Sequence, residues 1–66
     1  METIINKKDL FEFLDIYTFV DQNEIQMAIC DYIEKQEGKL YYSDMAMAYD
    51  LSLEYIEKNH LVFNEK

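Results

Sequence analysis

The sequence predicts an all-α domain, and its composition and its apolar spacing both support this class. The 66 residues include no proline and one glycine, Gly38, which leaves little material for the turns of a β-protein. Half of the residues are hydrophobic and 15% are aromatic, enough for one compact core without a metal or a disulfide. Apolar residues also recur at helical spacing. We therefore expect a single compact domain, residues 1–66, with four helices.

The first helix is predicted at about residues 7–18. Its core-facing stripe has the spacing i, i+3, i+4 and i+7 and consists of Leu10, Phe13, Leu14 and Tyr17. Phe11 and Phe19 lie away from the centre of this stripe, toward the polar face, and we expect them at the surface. Residues 1–20 are either an integral helix of the domain or an arm for dimerisation.

The second helix has the clearest boundaries in the sequence. Asp21 and Glu24 form an Asp version of the capping box, in which Asp21 accepts from first-turn amides and Glu24 reaches back. The predicted buried stripe is Ile25, Ala28, Ile29, Tyr32 and Ile33. Gly38 is suited to the left-handed conformation that ends a helix, so this helix should end near Gln36.

Two short helices are predicted in the last third of the chain, at residues 44–49 and about 53–60. Ser43 and Ser52 are their expected caps, because a serine hydroxyl accepts from the first free amides of a helix. Asp50 then lies in the turn between them.

The segments outside these helices are short. Residues 39–42 are β-prone and are expected to be extended. The apolar residues 61–63 either prolong the last helix or form a minimal β-strand, which could pair with residues 3–5. Residues 21–63 are assigned to a core formed by the last three predicted helices, and residues 1–20 to the N-terminal helix.

Residues 22–59 resemble the three-helix core of the helix-turn-helix superfamily, in particular its winged-helix branch, with the wing absent or vestigial. The matching positions are core-facing Met45 and Tyr49, small Ala46, Leu51 in the turn, the cap Ser52, and Ile56. Asp50 occupies the place that needs a positive φ, which aspartate tolerates. The resemblance implies that the second helix of the pair presents its exposed side to a partner, usually the major groove of DNA.

The charge of the chain opposes DNA binding. The net charge is −8, with 14 acidic residues, six lysines and no arginine. Residues 1–40 carry nine acids and four lysines, and residues 41–66 carry five acids and two lysines, so the acidity is spread along the chain. Such a surface repels phosphates and attracts basic proteins. Direct nucleic-acid binding by a monomer is therefore not expected.

A protein-binding surface is the alternative that the residues favour, because aromatic and methionine side chains are enriched at interfaces. Met47 is expected to point outward from its short helix, and Tyr55 to lie among the surface aromatics. The predicted partner-binding residues are Met47, Leu53, Glu54, Tyr55, Glu57, Lys58, Phe11 and Phe19. The expected partner is a protein with a basic surface, and a homodimer is the second possibility.

No catalytic, cofactor-binding or metal-binding residue is predicted. His60 is the only histidine and is interpreted as a surface residue near a helix end, while Cys30 is interpreted as a small hydrophobe. No apolar run reaches the length of a membrane span, and the chain is expected to be cytoplasmic.

Three functional hypotheses follow from the sequence. The first is a small acidic, non-enzymatic regulator that binds a transcription or nucleic-acid-handling protein. The second is a homodimer that binds DNA directly, and the third is a DNA mimic that blocks a DNA-binding protein. Short, acidic, arginine-free chains of this type resemble regulators of phages and mobile elements.

Overall fold

The computed structural model describes residues 6–63, and within this range it contains three α-helices and no strand. Helix α1 is Lys7–Asp15, α2 is Gln22–Glu37 and α3 is Tyr42–Asn59. The all-α class is confirmed, but the expected number of four helices is wrong. The predicted pairing of the termini is not observed: residues 61–63 form no strand, and residues 3–5 lie outside the described residues.

Helix α1 begins at a side-chain cap and ends earlier than predicted. Asn6 is the N-cap, and its Oδ1 atom accepts from the backbone amide of Asp9 at 3.2 Å. The helix ends at Asp15 because the next two amides bond three residues back, to Phe13 and Leu14, which tightens the last turn.

Helix α2 has the boundaries that its end residues predict. The Asp21 side chain accepts from the amide of Glu24 at 2.9 Å, as expected for the N-cap. The Glu24 carboxylate reaches back one residue further than a standard capping box and accepts from the amide of Val20 at 2.9 Å. At the other end Gly38 takes a left-handed conformation with φ of 78°, and its amide donates to Glu34.

Helix α3 is continuous, so the turn-joined pair predicted at residues 44–49 and 53–60 is wrong. Ser52 does not cap a new helix: its hydroxyl donates to the carbonyl of Tyr49 at 2.6 Å, inside the same helix. Asp50 has no positive φ, since His60 is the one non-glycine residue with positive φ in residues 6–63. Without Gly or Pro in this segment, the helix has no residue that must interrupt it.

The ends of α3 also differ from the expectation. The helix begins at Tyr42 instead of Asp44, and the Asp44 carboxylate accepts from the amide of Tyr41 at 3.0 Å. His60 caps the other end with φ of 54°, while the amide of Leu61 donates to the carbonyl of Ile56. The prediction of a cap-region surface histidine is therefore confirmed.

The core lies where α1 covers the hairpin formed by α2 and α3. A short link joins α2 to α3, and Gln22 at the start of α2 bonds to Ser52 in the second half of α3, so the two helices run antiparallel. The buried hydrophobic residues are Leu10, Phe11, Leu14, Ile25, Ile29, Ile33, Ala48 and Tyr55. The predicted isoleucine stripe of α2 is thus confirmed.

The continuity of α3 changes which of its residues face the core. Ala48, Ser52 and Tyr55 follow one another at spacings of four and three residues, and all three are buried. Met45 and Tyr49, which the helix-turn-helix resemblance placed in the core, are instead exposed. A break near Asp50 would have rotated the second half of the segment relative to the first, and no such break is present.

Candidate protein-interaction surface

Aromatic rings hold α1 against the other two helices. We call this set of six residues the aromatic cluster: Phe11, Phe13, Tyr17, Phe19, Tyr32 and Tyr55. Tyr55 contacts two of the rings, Phe11 at 5.3 Å and Phe19 at 6.4 Å between centroids, both nearly perpendicular to it. Such edge-to-face pairs add about 0.5–1.5 kcal/mol each beyond their buried area. The cluster therefore accounts for much of the unusual aromatic content.

The hydroxyl of Tyr55 ties α3 to the end of α1. It donates to Oδ1 of Asp15 at 2.7 Å, and the residue as a whole is 5% exposed. Burial, the hydrogen bond to Asp15 and the charge of that carboxylate raise the pKa of Tyr55 to about 12. Tyr55 is therefore a protonated structural group at neutral pH.

The aromatic cluster corrects half of the predicted partner-binding set. The expectation that Phe11 and Tyr55 are exposed is wrong, since each is 5% exposed. Phe19 and Met47 are half-buried and pack against the core, so they do not point outward as predicted. The physical reason is that α1 buries Phe11, on the flank of its stripe, as well as Leu10 and Leu14 within the stripe. Its buried face is therefore broader than predicted.

The other four predicted residues lie on the exposed side of α3. Leu53, Glu54, Glu57 and Lys58 are all exposed. Glu54 forms a salt bridge with Lys7 of α1 at 2.8 Å. The ammonium of Lys58 lies 5.2 Å from the centre of the Phe11 ring, within the range of a cation–π contact.

A second region combines exposed apolar side chains with a concave surface. We call it the Leu40 groove, and it is lined by Met27, Cys30, Asp31, Glu34, Leu40 and Met45. A neighbouring depression shares Leu40 and Met45 and adds the two tyrosines of the link, Tyr41 and Tyr42. Tyr42 is 90% exposed and Met27 is 64% exposed. The two depressions are neighbours that share Leu40 and Met45, and most of the residues that line them are apolar or aromatic.

Local sequence signals build this groove between α2 and α3. The left-handed Gly38 ends α2 and turns the chain, so that Leu40 and Tyr41 follow in an extended link. Asp44 then accepts from the amide of Tyr41, which fixes the first turn of α3 and the position of Met45. The lining is supplied by α2, the link and α3, with no contribution from α1.

The charges that line the groove are acidic. Asp31 and Glu34 are its two charged lining residues, and both are exposed. Asp31 is 3.3 Å from Lys35, one turn along α2, in a pair whose side chains are more than half exposed. Exposed pairs of this kind contribute only about 0.3–0.5 kcal/mol, so Asp31 can exchange Lys35 for another cation at little cost.

The Cys30 thiol of the groove is a poor candidate for a nucleophile. Burial, and then the negative charge of Asp44, raise the pKa of the Cys30 thiol. A thiol with a raised pKa is a weak nucleophile at neutral pH, which suits the predicted role as a small hydrophobe. In residues 6–63 no group of three histidine, cysteine or carboxylate side chains is arranged to hold a metal ion.

The groove was not predicted from the sequence, although the positions of two residues in α2 indicated it. Met27 and Cys30 lie on the flank of the α2 stripe, next to the core but outside it. Met45 was assigned to the core and Met47 to the surface, the reverse of their observed positions. The continuity of α3 does not by itself explain these positions, because Met45 precedes Ala48 by three residues and Ser52 by seven and so lies toward the same side of the helix.

None of the helices in residues 6–63 has the length and apolar character needed to cross a membrane. No protein-family model matches the chain, and neither the curated proteins nor the solved structures include a match to it.

Proposed function

We propose that this chain is a small acidic, non-enzymatic regulatory protein that acts by binding a protein with a basic surface. The observation that carries the proposal is the exposed face of α3. Asp50, Glu54 and Glu57 are exposed there at spacings of four and three residues, which places carboxylates on successive turns of one helix. With a net charge of −8, this face attracts cationic surfaces and increases their rate of encounter.

The composition of the chain supports a protein partner over a DNA duplex. A DNA-binding surface needs several cations directed at phosphates, and this chain has no arginine. Lys7 is paired with Glu54, Lys35 with Asp31, and Lys58 lies over the Phe11 ring. These pairs are exposed and weak, so the case against direct DNA binding rests on the lack of arginine and on the net charge of −8.

The class of partner follows from where basic surfaces occur. Proteins that handle nucleic acids are rich in lysine and arginine, and an acidic regulator can dock on a basic surface of such a protein that lies outside its nucleic-acid site. We therefore place the partner among transcription factors, polymerase subunits and other nucleic-acid-handling proteins. The three-helix scaffold supplies a rigid α3 for this contact.

A DNA mimic is the second candidate, and the continuity of α3 favours it specifically. One uninterrupted helix spaces Asp50, Glu54 and Glu57 about 4.5–6 Å apart along its axis. A row of negative charges on a rigid rod can imitate a phosphate backbone, whereas a turn-joined pair would divide that row. A mimic differs from the first candidate in competing with DNA for the same partner site.

Affinity capture from the native cell tests the proposed function, with the wild type and a Glu54→Gln, Glu57→Gln double variant as baits. We expect a partner with a basic surface that elutes as salt is raised, and roughly severalfold weaker capture by the variant. The variant changes two exposed side chains, so its circular dichroism should match that of the wild type. Addition of duplex DNA to the captured complex separates the candidates, since only the mimic is displaced.

Sedimentation and a duplex-binding titration decide the remaining alternative. If a homodimer binds DNA directly, a labelled duplex binds at physiological salt and Lys58→Glu abolishes the binding. That result would overturn the proposed function. Absence of any salt-sensitive basic partner from the capture would overturn it as well.

A further inference from the structure

The Leu40 groove has features that the acidic face of α3 lacks. Its floor is apolar, with Leu40 and two methionines, Met27 and Met45, which are at least one-third exposed. Methionine is flexible and polarizable, so it adapts to differently shaped apolar side chains and is common at surfaces that bind helices. The groove therefore provides apolar anchoring where α3 provides charge.

We infer that the Leu40 groove binds a basic amphipathic helix of the partner protein, with apolar side chains on its floor and lysine or arginine against Asp31 and Glu34. This inference rests on the proposed function and adds a second surface, apart from the acidic face of α3, that the same partner contacts. An amphipathic helix is the occupant that matches a shallow apolar trough between two helices, because its anchors recur on one face at i, i+3, i+4 and i+7. Tyr41 and Tyr42 line the neighbouring depression, so they lie beside the bound helix.

Charge complementarity selects this occupant over a second copy of the chain. Two copies that met at this groove would bring together Asp31 and Glu34 of each, on chains that each carry a net charge of −8. Like charges at an interface cost binding free energy, whereas flanking lysines of a basic helix replace the weak pairing of Asp31 with Lys35. One basic amphipathic helix therefore covers the apolar residues of the groove and also pairs with its two carboxylates.

A pair of designed peptides tests this inference directly. The probe is a fluorescein-labelled helix of about 18 leucine and lysine residues with leucine at the a and d positions. Its control has the same composition in scrambled order, and therefore the same charge without an apolar face. By fluorescence anisotropy at about 150 mM salt, we expect the amphipathic peptide to bind at least about tenfold more tightly than the scrambled one.

Variants of the protein then locate the peptide. The double substitution Met27→Ala, Met45→Ala removes the methionines of the floor and should weaken binding by about tenfold. Val20→Ala is the matched control, because Val20 is exposed to about the same degree as Met27 but lies outside the groove, and it should change the affinity by less than about twofold. Asp31→Asn with Glu34→Gln should weaken binding by about fivefold and reduce its salt dependence. Circular dichroism and urea unfolding check that each variant is folded.

Each contrary outcome identifies what has failed. If the scrambled peptide binds equally well, or if neither peptide binds, the groove inference is overturned, while the proposed function is still judged by the capture of a basic partner. If Val20→Ala is as harmful as the methionine double variant, the loss is not specific to the groove and the inference also fails. A dimer in sedimentation equilibrium that the methionine variant dissociates would make a second copy the occupant, which contradicts the inference.

Discussion

At the aromatic cluster α1 covers the apolar side chains of α2 and α3, whereas the lining of the Leu40 groove comes from α2, the link and α3 alone. Both regions are rich in large apolar or aromatic residues. In the cluster, however, Phe11 and Tyr55 are each 5% exposed, while Met27 and Tyr42 are 64% and 90% exposed. Residue type is therefore similar in the two regions, and coverage by α1 distinguishes them.

The polar groups of the two regions show the same contrast. In the cluster the one buried hydroxyl, that of Tyr55, donates to Asp15, so burial leaves it satisfied. At the groove Asp31 and Glu34 are exposed, and the pairing of Asp31 with Lys35 is weak. Phe11 and Tyr55 are covered within the chain, whereas the groove retains apolar area and charges for a partner. This difference teaches that excess aromatic residues alone do not reveal an interface.

Truncating one side chain in each region should give the largest contrast in stability. Phe11→Ala removes a buried ring that contacts Tyr55 and should lower the free energy of unfolding by about 3–5 kcal/mol. Met45→Ala removes an exposed side chain of the groove and should lower it by less than about 1 kcal/mol. Urea unfolding followed by circular dichroism measures both, and similar losses for the two variants would contradict the assignment of the groove as uncovered surface.

The hydroxyl of Tyr55 should make stability fall at alkaline pH. The pKa of Tyr55 is about 12 in the folded protein and about 10 in an unfolded chain, so folding favours the protonated form. This contribution is fully present below pH 10 and is lost as the pH rises toward 12. It amounts to about 3 kcal/mol at most.

Tyr55→Phe is the control for this pH dependence, because it keeps the ring contacts and removes only the hydroxyl. Compared with the wild type it should lose about 1–2 kcal/mol at pH 8, and the difference should shrink between pH 10 and 12. Urea unfolding of both proteins across this range measures the difference. A constant gap from pH 8 to 12 would show that the bond to Asp15 does not control the titration of Tyr55.

The sequence predicted the parts of the fold whose signals are local. Asp21, Glu24 and Gly38 define α2 because each acts on the backbone within a few residues of itself. The all-α class and the isoleucine stripe likewise follow from spacing within one helix. These features need no knowledge of the other helices, and they were predicted correctly.

The parts that failed depend on contacts between distant residues. A serine hydroxyl can cap a helix or donate to a carbonyl of its own helix, and at Ser52 the second arrangement occurs together with a bond from Gln22, 30 residues away. Tyr55 is buried because it meets Asp15, 40 residues earlier in the chain. The partner-binding set failed at Phe11 and Tyr55 for the same reason, since the two rings bury each other across α1 and α3.

Asp50→Ala tests the continuity of α3, the helix that supplies residues to both regions. In the middle of a continuous helix alanine is a better residue than aspartate, so the variant should be more stable by about 0.5 kcal/mol. In a turn that requires positive φ the same change would be destabilising. The sign of the change in the urea midpoint therefore distinguishes a continuous α3 from a turn-joined pair. In a continuous helix Asp50→Gly should lower the midpoint, whereas in a turn that requires positive φ glycine would raise it.

Lys7→Ala should have the smallest effect, because the salt bridge of Lys7 with Glu54 lies at the surface. The two side chains are 55% and 48% exposed, and water screens their attraction. We expect a loss of less than about 0.5 kcal/mol at low salt, and no loss at about 1 M salt, where charges are screened within a few ångströms. If the loss were as large as that of Tyr55→Phe, α1 would be held to α3 by charge as much as by the aromatic cluster. The cluster would then not be the feature that separates the covered region from the Leu40 groove.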